Sequence, residues 1–149
     1  MKKFAITLSV CLVVALTVVL AGCGGASKTY LDGTYVMTAF QENSEVNNIN
    51  FNSSTMGQYT IEFATNGSID LVFVTPVTTT SGGTTTINAQ KSTLSGTYFF
   101  KNDAMTLKEG NMTHKTYVLT KNGNNNTITF KFVSSGKTLY TATYTLQII

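Results

Sequence analysis

An all-β fold, an antiparallel meander of about eight strands, is predicted by three observations. Thr, Tyr, Phe, Val and Ile dominate the chain beyond Ser27. Apolar residues there alternate with polar ones at a period of two, and no stretch repeats them at helical spacing. Polar turn signals interrupt the alternation at short intervals, as consecutive hairpins require. About eight strands of this kind suffice to close into a barrel or fold into a sandwich.

The first 22 residues stand apart from that pattern. Lys2 and Lys3 form a short positive n-region that stays on the cytoplasmic side and orients the apolar segment behind it. Phe4 to Leu20 is an uncharged run rich in Val, Leu and Ala, able to enter the translocon as a helix. It ends at Leu20-Ala21-Gly22-Cys23, which resembles the lipobox of the bacterial lipoprotein family. The resemblance implies that the Cys23 thiol takes a diacylglycerol and that cleavage then falls between Gly22 and Cys23. It places the mature protein in the bacterial cell envelope, lipid-anchored to a membrane and facing outside the cytoplasm. Gly24, Gly25, Ala26 and Ser27 make a small flexible leader, reaching roughly 10 to 15 Å as a coil. The organisation expected is a signal peptide over 1–22, an acylated cysteine and tether over 23–29, and one β-domain over 30–149.

Composition narrows the partners. The two cysteines are Cys11, inside the apolar run, and Cys23, so the mature domain is expected to carry no disulfide. All ten basic residues are lysines, and Lys2 and Lys3 leave with the leader, so the remainder nearly balances the seven acidic residues. A domain near neutrality, without arginine or a basic cluster, is a poor match for nucleic acid. Lipid rather than charge does the anchoring.

The strands are legible in order. Tyr59, Ile61 and Phe63 share one face, with Thr60 and Glu62 on the other. Asn66-Gly67 is a strong hairpin signal because both residues tolerate positive φ. Ile69, Leu71 and Phe73 form the partner strand, and Val72 and Val74 make its second face apolar too. Tyr98 and Phe100 lead into a turn at Lys101-Asn102-Asp103, after which come Met105 and Leu107. Tyr117 and Leu119 precede the polar turn 121–126, and Ile128, Phe130 and Phe132 return from it. Ser134-Ser135-Gly136-Lys137 turns the chain into a last strand of Tyr140, Ala142, Tyr144 and Leu146, alternating with Thr141, Thr143 and Thr145.

Two connections break the rhythm. Residues 41–57 are polar but carry Val46, Ile49, Phe51 and Met56, which suit a short helix or lid. Residues 75–93 are rich in Thr, Ser and Gly and read as a mobile flap, with Thr84 to Asn88 as a weak edge strand.

One short motif occurs twice: Leu31-Asp32-Gly33-Thr34-Tyr35 and Leu94-Ser95-Gly96-Thr97-Tyr98. Glycine at a strand entrance lets the backbone bend or pass close beneath a neighbour. With its meander, the chain resembles the lipocalin-like domains of bacterial lipoproteins over most of residues 30–147. Tyr35 stands where that family's Gly-x-Trp signature has its aromatic. The resemblance implies a lipocalin-like barrel. Tyr35, Tyr59, Phe63, Phe73, Tyr98, Tyr117, Phe130 and Tyr144 could line a pocket for a small apolar ligand inside it. The same aromatics could equally fill a small barrel, and a packed core is the favoured reading, since aromatic burial is what any such domain needs.

Residues for chemistry are sparse. His114 is the only histidine and reads as a surface residue beside Lys115. Metal sites need several converging ligands, and hydrolytic triads need a base with an orienting partner. The carboxylates are Asp32, Glu42, Glu45, Glu62, Asp70, Asp103 and Glu109. Glu62 and Asp70 flank one hairpin, yet both occupy outward positions, where charge protects a sheet against association. No phosphate-binding glycine loop or nucleophile elbow is present in the sequence. The reading is therefore non-enzymatic, with no catalytic residue, metal or cofactor. The expected role is an anchored envelope protein that binds a small apolar molecule or an envelope component, its site under the 41–57 and 75–93 segments. A protein-interaction or inhibitor module with a filled interior is the alternative.

Overall fold

The computed structural model describes residues 26–43 and 48–148. The signal peptide, the lipobox with Gly22 and Cys23, Gly24, Gly25, Glu45 and Val46 lie outside the described residues. Eleven strands are described, in chain order β1 (Lys28–Thr29), β2 (Gly33–Glu42), β3 (Ile49–Asn50), β4 (Thr60–Phe63), β5 (Ser68–Ser81), β6 (Thr84–Lys101), β7 (Ala104–Glu109), β8 (Met112–Thr113), β9 (Tyr117–Lys121), β10 (Thr127–Ser134) and β11 (Lys137–Leu146). A short 3-10 helix, Ser53–Gln58, lies between β3 and β4 and is capped by the Asn52 side chain.

Every pairing is antiparallel except β3 with β6. Eight strands form a closed ring, in which β2, β4, β5, β6, β7, β9, β10 and β11 each pair with the next and β11 returns to β2. The seam is thinnest at β7–β9, joined through the single pair Ala104↔Thr120. Elsewhere the register is long, as between β10 and β11 from Thr127↔Thr145 to Ser134↔Lys137.

The period-two pattern determines what faces inward. Tyr59, Ile61 and Phe63 are buried, whereas Glu62 is exposed. Ile69, Leu71 and Phe73 face them across the hairpin, and Val74 is buried from the strand's other face. Ile128, Phe130 and Phe132 on β10 and Tyr140, Ala142 and Tyr144 on β11 complete the opposite wall.

Turn chemistry accounts for the hairpins. Ser135 and Gly136 take φ of 51° and 75°, and Gly82 and Gly83 take 58° and 80°, giving tight two-residue turns with both central residues left-handed. The Asn66-Gly67 hairpin forms by another route. Only Gly67 has positive φ, at 85°, while the Asn66 side chain accepts the Ser68 N–H at 2.9 Å.

The segment 75–93 corrects the sequence reading, which took only Thr84 to Asn88 as strand. It is no flap: β5 and β6 run on as an unbroken antiparallel hairpin from Ser68↔Thr97 to Ser81↔Thr84. Thr75 bonds Ser92, Thr79 bonds Thr86 and Thr80 lies against Thr85, so cross-strand hydroxyl pairs support it. On its inner end Ile87 and Ala89 pack against the core.

The outer edge of β5 is managed residue by residue. Ala64 N–H bonds Ser68 O at 3.1 Å, so even-numbered residues of β5 turn their peptide groups toward β4. That strand pairs with β5 only as far as Leu71. Beyond it, the Tyr144 hydroxyl donates to Val72 O at 3.1 Å and the Tyr140 hydroxyl to Val74 O at 2.6 Å. Pro76 comes next in the same set, where a missing N–H removes nothing from the β6 ladder.

The repeated motif is explained by its register. Gly33 pairs Phe63, Phe63 pairs Ile69, and Ile69 pairs Gly96, so the two glycines end one row across the sheet. The next row begins at Tyr35 and ends at Leu94. On the other side the Tyr98 hydroxyl donates to Leu31 O and accepts from Leu31 N–H, each at 2.8 Å. The two copies thus face one another in reverse order. Gly96 lies inside β6, not at a strand entrance.

Candidate functional site

The eight aromatics expected to line a ligand cavity lie in the core. Tyr35, Tyr59, Phe63, Phe73, Tyr98, Phe130 and Tyr144 are buried, and Tyr117 is half-buried. They contact each other directly: Tyr35 meets Phe63 at 5.3 Å between ring centroids, Phe63 meets Tyr98 at 4.7 Å, and Phe73 meets Tyr117 at 4.7 Å. Phe130 sits 5.8 Å from both Phe73 and Tyr140 and 6.1 Å from Tyr144. These are the separations of packed, tilted and edge-on aromatic pairs.

Four tyrosine hydroxyls of this interior find backbone partners. Besides the Tyr98, Tyr140 and Tyr144 bonds, Tyr35 donates to Asn125 O at 2.6 Å. Among the described residues no buried side-chain nitrogen or oxygen lacks a partner. Burial raises the phenol pKa of Tyr35, Tyr98, Tyr117, Tyr140 and Tyr144 above the ordinary 10.0, most strongly for Tyr140 and Tyr144. Because the folded values are raised, their contribution to stability is whole below pH 10 and is lost as pH rises above it. In an alkaline titration, phenolate absorbance from these side chains is expected to appear together with loss of near-ultraviolet circular dichroism. Full phenolate absorbance from a chain with its dichroism intact would contradict the packed interior.

The open space lies at the far rim, between the two segments singled out in the sequence. A groove of about 670 Å³ is lined by Glu42, Asn48, Ile49, Asn50, Phe51, Thr85, Thr86 and Ile87. Its walls come from residues far apart in sequence, joined by the parallel pairs Ile49↔Ile87 and Asn50↔Asn88. Glu42 at the end of β2 holds β3 in place, its Oε2 accepting the Ile49 N–H at 2.6 Å. Phe51 stacks on Phe40 at 4.1 Å and approaches Tyr59 at 5.7 Å, anchoring the groove floor to the core. On the other side of Phe51 a smaller hollow of about 370 Å³ reaches Phe40, Ser53 and Met56. A third, about 410 Å³, lies over Gln41, Asn43, Lys131, Thr138 and Thr141. None of the eight aromatics lines these three spaces.

The groove offers amide and hydroxyl groups around apolar side chains, the combination that orients a bound molecule while burying part of it. Ile49 and Phe51 were visible in the sequence as apolar positions in a polar segment. Asn48 and Asn50 carried no signal, and Thr85 and Thr86 stood out only as part of a weak edge strand, because only the non-local β3–β6 pair brings them together.

Among the described residues the titratable groups do not converge. The His114 Nε2 lies 3.2 Å from Glu109 Oε2, and its ring is 5.2 Å from Tyr117. It is partly covered, with 13% of its side chain accessible, and so is less of a surface residue than the sequence suggested. Glu62 and Asp70 are direct cross-strand neighbours on the exposed face, and the Ser95 hydroxyl bonds Asp70. Asp32, Glu42, Asp103 and Glu109 are exposed as well. Among the described residues no three His, Cys, Asp or Glu side chains group as metal ligands, and no helix is long and apolar enough to cross a membrane. Compared with known proteins, the chain matches no family profile, no curated protein and no solved structure.

Proposed function

We propose that this chain is a lipid-anchored envelope protein, non-enzymatic, that recognises an envelope component through the Ile49–Ile87 groove instead of an interior cavity. The anchor is the diacylglycerol on Cys23 that the lipobox implies. The ring of eight strands serves as a lipocalin-like barrel, a reading supported by its strand-to-next-strand order and by Gly33 and Tyr35 at its start. One observation carries the choice of groove over cavity. The aromatic interior is closed by its own contacts, with the Tyr140 and Tyr144 hydroxyls bound to β5 carbonyls across it.

The test is mass spectrometry on an organic extract of the purified domain from Ser27 onward, which retains every described strand. The extract is expected to hold no stoichiometric small molecule. One apolar molecule per chain would reverse the choice and return recognition to the interior.

A further inference from the structure

The two ends of the ring are chemically different, and the tether enters at only one of them. β1 begins immediately after Ser27 and pairs Lys28↔Lys101 and Thr29↔Phe100, at the end of β6 farthest from the hairpin tip. The turns at 64–67, 102–103 and 122–126 share this pole: Tyr98 N–H bonds Gly67 O, Lys121 N–H bonds Asp103 O, and Leu146 N–H bonds Asn126 O. Two lysines placed directly opposite across a strand pair repel each other. Among the described residues neither is in an ion pair, although Lys28 Nζ lies 4.5 Å over the Phe99 ring. At the same pole Tyr30, just past β1, is 45% exposed, and Ile148, two residues past β11, is 90% exposed. Unneutralised lysines with an exposed tyrosine and an exposed aliphatic side chain suit a surface of anionic phosphates over hydrocarbon, the chemistry of lipid headgroups.

We propose that this pole, built on Lys28, Lys101, Tyr30 and Ile148, is a bilayer-contact surface that stands the ring upright, with the groove facing away from the anchoring membrane. The proposal rests on the lipid-anchor reading and adds the orientation and the partner of the tether-side pole. Its consequence for recognition is direct. Ile87 lies about 45 Å of extended strand from Lys101, whereas the tether from Cys23 to Lys28 spans at most about 17 Å. The groove is therefore out of reach of lipids in the anchoring leaflet, and what it binds must approach from beyond the membrane surface.

The experiment uses the full chain, acylated in cells and reconstituted into vesicles containing phosphatidylglycerol and a headgroup-linked contact quencher. Acylation occupies Cys23 and processing removes Cys11, so a single introduced cysteine takes the fluorophore. Two exposed positions serve: Gly123→Cys at the tether-side pole and Thr80→Cys at the hairpin tip. Intact mass is read first. A mature chain without diacylglycerol overturns the anchor reading, and this proposal with it. With the lipid present, the Gly123→Cys label is expected to be quenched several-fold more than the Thr80→Cys label. Lys28→Gln with Lys101→Gln should narrow that difference while leaving acylation unchanged. Equal quenching at both positions would overturn the upright orientation alone. A difference unmoved by loss of both lysines would overturn the headgroup contact, leaving the tether as the sole link.

Discussion

Replacing Phe130 with Ala will destabilise the fold by about 3–5 kcal/mol, the range for removing a fully buried aromatic. Phe130 has no accessible surface and lies between Phe73, Tyr117, Tyr140 and Tyr144. Its cross-strand neighbours Leu119 and Ala142 are fixed to it by the β9 and β11 ladders, which limits how far the walls can close over the space left behind. A domain of this size is stable by only about 5–15 kcal/mol, so a large part of the margin goes with one ring. Urea unfolding of the two proteins, with the midpoint and slope compared, measures it. A loss below about 1 kcal/mol, which surface changes give, would mean that the interior is loosely filled. Interior binding would then return to contention.

Gly96→Ala is expected to be comparably damaging for an opposite reason, too much material instead of too little. A Cβ on Gly96 would run into the Lys108 carbonyl oxygen, which is backbone and cannot turn aside as a side chain would. The adjoining pair Thr97↔Lys108 begins the β6–β7 ladder, so relief requires shifting β7 away from β6 at the point where the ring continues toward its thin seam. Overpacking of this kind costs about 1–3 kcal/mol in a core, and here strand pairing is strained in addition. Gly123→Ala is the control, since a Cβ there meets nothing within 4 Å. Equal thermal unfolding of the two variants would show that the close approach at Gly96 has no energetic weight.

The strands were legible because alternation is a direct record of which side of a sheet each residue faces. Tyr59-Thr60-Ile61-Glu62-Phe63 is such a record, as is the run from Tyr140 to Leu146. Of the hairpin of 75–93, only Thr84 to Asn88 was legible as strand. Its threonines and glycines match the composition of a loop, and what makes it a strand pair is hydroxyl bonding between Thr79 and Thr86, with Ile87 and Ala89 covered by a distant segment. Composition contains neither fact. The interior posed a different problem. An inward Tyr or Phe keeps the same period whether it faces a ligand or another ring, and only the distances around Phe73, Phe130 and Tyr140 separate the two cases. The groove lies between the two segments that break the strand rhythm, with Ile49 and Phe51 visible as apolar positions, while its polar lining required the parallel contact of β3 with β6.

The treatment of the outer edge of β5 also bears on how this chain avoids fibre formation. Ile69 to Val77 is a run of strand-forming residues with one charge, the composition that templates intermolecular sheets when left open. In the folded molecule the carbonyls of Val72 and Val74 are already occupied by tyrosine hydroxyls, and Pro76 has no N–H to offer. The apolar stretch most prone to templating is thus sealed by groups that also hold the core together, so loosening either tyrosine would expose a nucleus for aggregation.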